Sequence, residues 1–299
     1  MALRLDDKLV VGISSRALFD LEEENKIYEE DGLKAYSEYQ LSHENDILKP
    51  GKAFPLIKAL HKLNTDGKYL TEIIVMSKNS ADTSLRIFNS IKHYGLDICR
   101  AALVGGASIA PYLNAFKTDL FLSAYENDVQ EAVNANIAAG IICSDSDLPI
   151  DPKNEIDQIR IAFDGDAVIF SDESEKIYQE KGLDAFAEHE RINAQKLLPE
   201  GPFAKFLKTI SMIQQEFDEN DSPIRTALVT ARSAPAHERV VRTLRAWDVR
   251  IDEAFFLGGI EKSDVLKAFG ANIFFDDQTV HTDPASKKVP SARVPYKNI

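Results

Sequence analysis

The chain repeats itself along its length, and this repeat limits the folds open to it more than any other feature. Residues 25–39 read NKIYEEDGLKAYSEY and residues 175–189 read EKIYQEKGLDAFAEH, which align without a gap at an offset of 150. Further on, LDICRAALVGG (96–106) matches VRIDEAFFLGG (249–259) at an offset of 153. Ordered matches of this kind predict an internal duplication, in which both halves fold on the same plan.

The two halves share an order of predicted elements. In each, a short apolar strand is followed by a charged helical segment, a second strand, an amphipathic helix and two more short strands. The predicted strands are 8–13, 72–76, 101–104 and 119–122 in the first half, and 159–163, 225–229, 254–257 and 272–275 in the second. Short strands alternating with helices are typical of parallel α/β folds. We therefore expect two tandem Rossmann-like halves, each a parallel sheet flanked by helices.

Polar and proline-rich stretches predict where these halves begin and end. The segment SDSDLPIDPKNEID at 144–157 suits a linker, which gives halves of residues 1–150 and 151–299. Residues 172–222 lie between the first two predicted strands of the second half. They are predicted to form a helical cap over a functional site at the ends of these strands. The tail after Gln278 is predicted to be irregular.

The composition and charge of the chain argue against some classes of binding partner. A formal net charge of −13 argues against a nucleic acid polymer. No stretch is long and apolar enough to span a membrane, and the start MALRLDDKLVVGI lacks the pattern of a signal peptide. Cys99 and Cys143 show no metal-binding spacing and suit a reducing compartment. We expect a cytoplasmic protein without a membrane partner; a homo-oligomer stays open.

Polar side chains follow the predicted strands of the second half. In chain order they are Asp164 and Asp166, then Thr230, then Lys262, and last Asp276 and Asp277. Because parallel strands place their carboxyl ends at one edge of a sheet, we expect these groups to meet there. Such a set of carboxylates, a hydroxyl and a lysine is suited to phosphoryl transfer.

Each residue type has a chemical reason to be present. A carboxylate such as Asp164 can attack phosphorus, provided that Mg²⁺ and Lys262 offset the repulsion between two anions. Asp166 can protonate the leaving alkoxide and later activate water. Mg²⁺ prefers oxygen ligands, which Asp164, Asp276 and a backbone carbonyl near Asp166 could supply, with Asp277 close by in the outer shell of the metal.

The turn after the second strand of this half, LVTARSA, is the predicted phosphate-binding segment. The hydroxyl of Thr230 and the backbone at Ala231 suit phosphate oxygens. Arg232 could pair with phosphate or lie on a helix surface, and the sequence does not decide between these two roles.

These residues, in this order, resemble the haloacid dehalogenase-like phosphohydrolases. The segments FDGDAVIFSDESE, LVTARSA and FFDDQ, with SSRALFDLEEENKIYEE and HEN in the first half, are similar to the cytosolic 5′-nucleotidase I family. The resemblance extends from about residue 8 to about residue 278 and implies Mg²⁺-dependent hydrolysis of nucleoside 5′-monophosphates, with AMP as the leading candidate. It implies that Asp164 is the nucleophile and Asp166 the acid and base. Thr230 and Lys262 would bind phosphate, and Asp276 with Asp277 would hold the metal.

The repeat alignment shows that the first half lacks this chemistry. The six positions correspond to Ser14, Arg16, Met76, Ile109, Ser123 and Ala124. The first half is therefore predicted to be a degenerate copy with a structural, regulatory or substrate-binding role.

Three other functions remain open at the level of sequence. The same chemistry would serve a phosphatase of another small phosphomonoester, or a phosphotransferase that passes the phosphoryl group to an alcohol. A non-catalytic nucleotide sensor is a third reading, although a sensor would have no need of Asp166.

Overall fold

The computed structural model describes residues 4–65, 67–143, 148–219, 221–233 and 236–297. They form two compact units, the first comprising Met1–Ile137 with Pro149–Ile156 and the second Ala138–Leu148 with Asp157–Ile299. Both cysteines are free thiols. Within the described ranges, no helix has both the length and the apolar character needed to cross a membrane.

The first unit is built around four parallel strands in the order β3-β2-β1-β4. Its strands are β1 (Leu9–Ile13), β2 (Thr71–Ser77), β3 (Arg100–Leu103) and β4 (Leu120–Ser123). Its helices are α1 (Ser15–Leu18), α2 (Glu22–Ser42), α3 (Phe54–His61), α4 (Leu85–His93), α5 (Ala110–Ala115) and α6 (Glu126–Asn134). The strand residues of β1, β2 and β4 are buried throughout, as expected for a parallel sheet covered on both faces.

The second unit has six strands in the order β5-β10-β9-β6-β7-β8. The strands are β5 (Ala138–Ile142), β6 (Ile159–Phe163), β7 (Ile224–Thr230), β8 (Glu253–Phe256), β9 (Ile273–Asp276) and β10 (Ser291–Arg293). The helices are α7 (Glu173–Ile192), α8 (Ala204–Gln215), α9 (His237–Ala246), α10 (Ser263–Phe269) and α11 (Thr279–Ser286). The pairs are parallel except β5 with β10, which is antiparallel. The expectation of a mixed α/β protein with largely parallel strands flanked by helices is confirmed.

The prediction that the tail after Gln278 is irregular was wrong. Residues Thr279–Ser286 form α11, and β10 runs parallel to β9 with Ala292 opposite Phe275. The sequence analysis also missed β5. A strand of three residues is too short to show an alternating pattern, so β10 is defined by its partners rather than by its own sequence.

An aromatic cluster forms the core of the second unit beneath the carboxyl ends of the central strands. Phe163 of β6 stacks on Phe275 of β9 with ring centroids 5.7 Å apart, and Phe203 lies 4.7 Å from Phe275. Phe206 of α8 joins the same cluster at 6.1 Å from Phe163. Helix α8, which lies inside the segment predicted as a cap, therefore packs on the strands of the unit.

The division at residue 150 remains a prediction. Of the expected linker at 144–157, residues 144–147 lie outside the described residues. Residues 149–156 belong to the first unit, whereas β5 belongs to the second.

Candidate active site

Three of the predicted site residues end three neighbouring strands. Asp276 is the last residue of β9, Thr230 is the last residue of β7, and Asp164 directly follows β6, which lies between them. The backbone N–H of Asp164 donates to the carbonyl of Phe275 at 2.8 Å, which keeps this strand end in register with β9. The parallel arrangement therefore brings these side chains to one edge of the sheet, as the sequence predicted.

Lys262 joins this group from the beginning of α10. Its Nζ atom donates to Asp164 Oδ1 at 2.5 Å and to Asp276 Oδ2 at 2.6 Å. All three residues are buried. A buried carboxylate without a partner is costly, and this lysine is the partner that both carboxylates share.

The site nevertheless holds more negative charge than Lys262 can offset. Burial, together with the charges of Asp276 and Asp166, raises the pKa of Asp164 to about 6 in spite of Lys262. Burial and the charges of Asp164 and Asp276 raise the pKa of Asp277 to about 8. The pKa of Lys262 is raised, because Asp164 and Asp276 outweigh the opposing effect of burial. A surplus of buried carboxylate charge is what a bound cation would relieve.

Asp166 faces a different partner. Arg232 donates to both of its carboxylate oxygens, from Nε at 2.8 Å and from Nη2 at 2.6 Å. The same guanidinium donates from Nη1 to Glu190 Oε2 at 2.5 Å. Its carbon Cζ lies 5.3 Å from the centre of the Phe186 ring. Arg232 is buried, so of the two roles that the sequence left open, the structure excludes an exposed position on a helix surface.

Glu190 is the residue in this network that the sequence analysis did not find. It lies in α7 and accepts hydrogen bonds from Arg232, from Arg239 at 2.9 Å and from Ser174 at 2.9 Å. Burial alone would raise the pKa of Glu190, but the two arginines and Ser174 hold it below its ordinary value. The local sequence around Glu190 resembles that around the exposed acids of α7. Only its tertiary contacts with Arg232 and Arg239 distinguish it from them.

The turn after β7 contains the predicted phosphate-binding segment. Thr230 is buried, and its Oγ1 accepts a hydrogen bond from the Arg232 backbone N–H at 3.2 Å. Ala231, between them, is exposed. The backbone of this turn is therefore held by the threonine hydroxyl, with Ala231 facing outward.

The strand register corrects one position of the repeat alignment. In the second unit Phe163 lies opposite Leu228, and in the first unit Ile13 lies opposite Val75. Two residues later the strands end at Thr230 and at Ser77, so Met76 is not the counterpart of Thr230. Ser77 Oγ also accepts the N–H two residues on, from Asn79 at 3.1 Å. The first unit therefore also has a hydroxyl at this position.

Asp277 is held by the C-terminal tail. Tyr296 donates its hydroxyl proton to Asp277 Oδ2, and burial together with this carboxylate raises the pKa of Tyr296. The backbone N–H of Gln278 donates to Asp276 Oδ1 at 2.9 Å, which fixes the other acid of the pair. Because the tail was predicted to be irregular, the sequence analysis did not expect Tyr296 at the site.

Comparison with known proteins identifies the family. A sequence model of the 5′-nucleotidases matches residues 1–299. The chain belongs to the 5′-nucleotidase family. Human cytosolic 5′-nucleotidase 1B is 42% identical in an alignment of 291 residues, and the match covers 93% of this chain and 47% of that protein. The resemblance stated from the sequence is thereby confirmed, and the chain spans about half the length of the curated relative that it matches.

No solved structure matches the chain.

The acids of the cluster fit a hard divalent cation by their chemistry. Asp164, Asp276 and Asp277 offer carboxylate oxygens, and the raised pKa values of Asp164 and Asp277 record charge that is not fully compensated. Within the described ranges, however, no group of three or more His, Cys, Asp or Glu side chains is placed as a metal site. Lys262 Nζ lies between Asp164 and Asp276 instead, and the Asp166 carboxylate is occupied by Arg232.

Proposed function

We propose that the protein is a Mg²⁺-dependent 5′-nucleotidase that hydrolyses nucleoside 5′-monophosphates, AMP foremost, through an aspartyl-phosphate in the second unit. The observation that carries this proposal is the buried Asp164–Lys262–Asp276 cluster at the ends of β6 and β9, in a chain of the 5′-nucleotidase family. The relative named as a cytosolic 5′-nucleotidase supports the substrate class and a cytosolic location. A nucleic acid polymer or a membrane is not part of the proposal, and a homo-oligomer is compatible with it.

In the first chemical step an Asp164 carboxylate oxygen attacks the phosphorus atom. The new bond joins Asp164 to phosphorus, and the bond from phosphorus to the O5′ oxygen of the nucleoside breaks. The electron pair stays on O5′, and the proton of Asp166 completes the nucleoside hydroxyl. Lys262, already bound to Asp164, would stabilise the charge that develops on the phosphate oxygens.

In the second step water attacks the phosphorus atom of the aspartyl-phosphate. Asp166 accepts the proton of this water, the bond from phosphorus to Asp164 breaks, and free phosphate leaves. The residues end in the protonation states in which they began, so no co-reactant is required.

The guanidinium of Arg232 occupies both carboxylate oxygens of Asp166 in the structure. A protonated Asp166 can accept fewer hydrogen bonds from the guanidinium than the carboxylate does, so acid catalysis requires this pair to loosen. Glu190 remains available to hold Arg232 when that happens, since it binds Nη1 rather than the atoms that face Asp166. The geometry thus supports a positioning role for Arg232 and a phosphate-binding role for Thr230 and the turn at Ala231.

Mg²⁺ would be held by Asp164, Asp276 and Asp277, with Asp166 contributing through its backbone carbonyl. When bound, it would offset the repulsion between the nucleophile and the phosphate. Tyr296 and the Gln278 N–H would orient the acids of β9 for this purpose.

We further infer that the halves at 1–150 and 151–299 arose by duplication. Both copies share an interruption of the first long helix at a glycine of nearly identical conformation, Gly32 with φ 82° and Gly182 with φ 79°. Both also place an aromatic pair around that point, Tyr28 with Tyr36 and Tyr178 with Phe186. Equal interruptions at equal positions are not required by an α/β fold, and they support common descent.

We propose a cap that is shorter than the segment 172–222 predicted from the sequence. Helix α7 contributes Glu190 and Phe186 to the surroundings of Arg232, whereas α8 packs on the strand core. We propose that α7 is the part that covers the site and selects the substrate, by excluding water and contacting the nucleoside.

The test is phosphate release from a panel of nucleoside 5′-monophosphates and sugar phosphates, with Mg²⁺ and with a chelator. The proposal expects release from AMP or a close relative, abolished by the chelator and restored by excess Mg²⁺. Asp276→Asn should lower activity and raise the Mg²⁺ concentration required for half-maximal rate. Release from sugar phosphates alone would contradict the substrate class, and nucleotide binding without any release would favour a sensor.

A further inference from the structure

The first unit contains a cavity at the end of its own sheet, where the second unit has its candidate active site. The cavity measures about 750 Å³, which is within the range of small-molecule sites in proteins. It is lined from the ends of β1 and β2 by Ser14, Ser15 and Ser77, and from helix α2 by Tyr28 and Tyr36. Nothing in the proposed reaction uses this space.

The cavity lacks the groups that would act on a phosphate ester. Ser14 stands where the second unit has Asp164, and Ile109 stands where it has Lys262. The strand register and the matching turn place Asn79 where the second unit has Arg232. With neither the nucleophile nor these two cations, a ligand can bind here without being turned over.

The groups that could hold a base and a sugar are present. Tyr28 and Tyr36 meet edge to face with ring centroids 5.9 Å apart, and Tyr125 also lines the cavity. Tyr36 donates its hydroxyl proton to Asn79 Oδ1 at 3.0 Å, and this hydrogen bond fixes the orientation of the Asn79 side-chain amide. Asn79 Nδ2 is then left buried without a hydrogen-bond partner, so a donor is ready for an acceptor on a ligand.

The charged residues around the cavity indicate whether it suits a ligand with or without a phosphate group. The charged residues that line the cavity are Lys78, Glu24, Glu126 and Asp128. Glu24 is paired with the buried Arg86 at 2.5 Å. Lys78 is paired with Asp128 at 2.5 Å. Arg16, another cation near this edge, is paired with Glu22 at 2.7 Å and lies against the Tyr125 ring. These three cations are each paired with a carboxylate, so a phosphate would have to displace one of these partners, whereas an uncharged ligand would not.

We propose that this cavity binds an uncharged nucleoside through its aromatic walls, amides and hydroxyls, as a second site that is not catalytic. The choice of a nucleoside over another neutral aromatic ligand rests on the proposed function, because the cavity repeats the position of a site proposed for nucleotides. Its ligand is the class of molecule that the reaction releases.

The probe is a radioactive azido-adenosine, photolysed with the full-length protein and mapped by proteolysis and mass spectrometry. The proposal expects label on peptides that contain Tyr28, Tyr36 or Tyr125, with adenosine protecting these peptides at lower concentration than AMP. The matched variants are Tyr28→Ala in the first unit and Tyr178→Ala at the equivalent position of the second. Both side chains are about half exposed, so neither substitution opens a cavity in the core.

Tyr28→Ala should reduce labelling of the first unit about tenfold, the typical effect of losing one aromatic contact to a base, and Tyr178→Ala should leave it unchanged. Label confined to the second unit would overturn the proposal, and so would stronger protection of the first unit by AMP than by adenosine. Phosphate release from AMP is measured separately on the wild-type protein. Labelling of the first unit in a protein that releases no phosphate would overturn the proposed function and leave this inference standing.

Discussion

At the scale of single residues, charge compensation organises the candidate site. Glu190 is the clearest case, because this one buried carboxylate forms ion pairs with both Arg232 and Arg239. Removing one member of a buried ion pair leaves the others unpaired and typically costs about 3–5 kcal/mol. The residue therefore links the stability of the second unit to the position of the arginine that holds Asp166.

Replacing Glu190 with glutamine should destabilise the protein by roughly 3 kcal/mol at pH 7, since the amide removes the charge and keeps only one of the two oxygens that accept hydrogen bonds from the arginines. The pKa of Glu190 is lowered in the folded state, so its contribution is complete above the ordinary value of 4.5 and is lost as the pH falls below it. Denaturant unfolding at several pH values would show the gap between wild type and variant closing in that acidic range.

The matched control is Glu188→Gln, two residues earlier on an exposed face of α7. Glu188 pairs with Arg191, but both side chains are more than half exposed. Its substitution should have little effect on stability at any pH. Equal losses in the two variants would refute the special role given to Glu190.

At the scale of elements, the strand ends and the turn residues that follow them determine what each sheet edge can do. The sequence predicted the eight strands at 8–13 to 272–275 because their apolar runs are bounded by turn residues. It did not predict β5, β10 or the helix α11. The aspartates, Thr230 and Lys262 could be found because each lies within about five residues of the end of a predicted strand, whereas Glu190 and Tyr296 reach the site only through tertiary packing.

Thr230 and Ser77 offer a comparison of two equivalent strand ends. Thr230→Ala should lower kcat/KM by about 100-fold, as the loss of one phosphate-oriented donor commonly does. Ser77→Ala removes the same kind of hydroxyl from the first unit and should leave phosphate release unchanged. Steady-state kinetics of both variants decide the matter. A comparable loss in Ser77→Ala would show that the strand end of the first unit takes part in catalysis.

A close backbone approach supports the turn that contains Asp166. A Cβ atom on Gly201 would lie 2.3 Å from the Phe170 carbonyl oxygen and 2.5 Å from that of Val168. These carbonyls belong to the segment that follows Asp166, so Gly201→Ala must displace it. We expect a loss of thermal stability together with a loss of activity.

Gly51→Ala provides the control for this steric argument. A Cβ there would lie 2.7 Å from the Ala17 carbonyl oxygen in the first unit. It should lower the thermal unfolding midpoint while reducing activity far less than Gly201→Ala. Retention of full activity by Gly201→Ala would contradict the placement of Asp166.

At the scale of the whole molecule, the sequence repeat and the compact units do not divide the chain in the same way. The repeat predicts a boundary at residue 150, but β5 (Ala138–Ile142) is paired with β10 in the second unit. Gly140 lies so close to Ala292 that a Cβ there would be 2.9 Å from the Ala292 Cβ. Alignment of the two repeated segments could not show this, because β5 pairs with β10, a strand about 150 residues away that the alignment does not include.

Two truncated chains test the role of β5. A chain of residues 138–299 keeps the strand, whereas a chain of residues 144–299 lacks it and exposes the edge of β10. The shorter chain should be less stable by on the order of 3 kcal/mol, because it loses the burial of Ile142 and the alanines of β5 as well as the strand pairing. Identical unfolding midpoints would show that the second unit does not require β5.

The measurement that tests the account most directly is a search for the phosphoryl group on the protein during turnover. Full-length protein mixed with AMP and Mg²⁺ is quenched in acid, digested and analysed by mass spectrometry, with Asp164→Asn treated in parallel. The account predicts one phosphoryl group on the peptide that contains Asp164, and neither modification nor phosphate release in the variant. Phosphate release by Asp164→Asn at the wild-type rate, with no phosphorylated peptide in either protein, would contradict it.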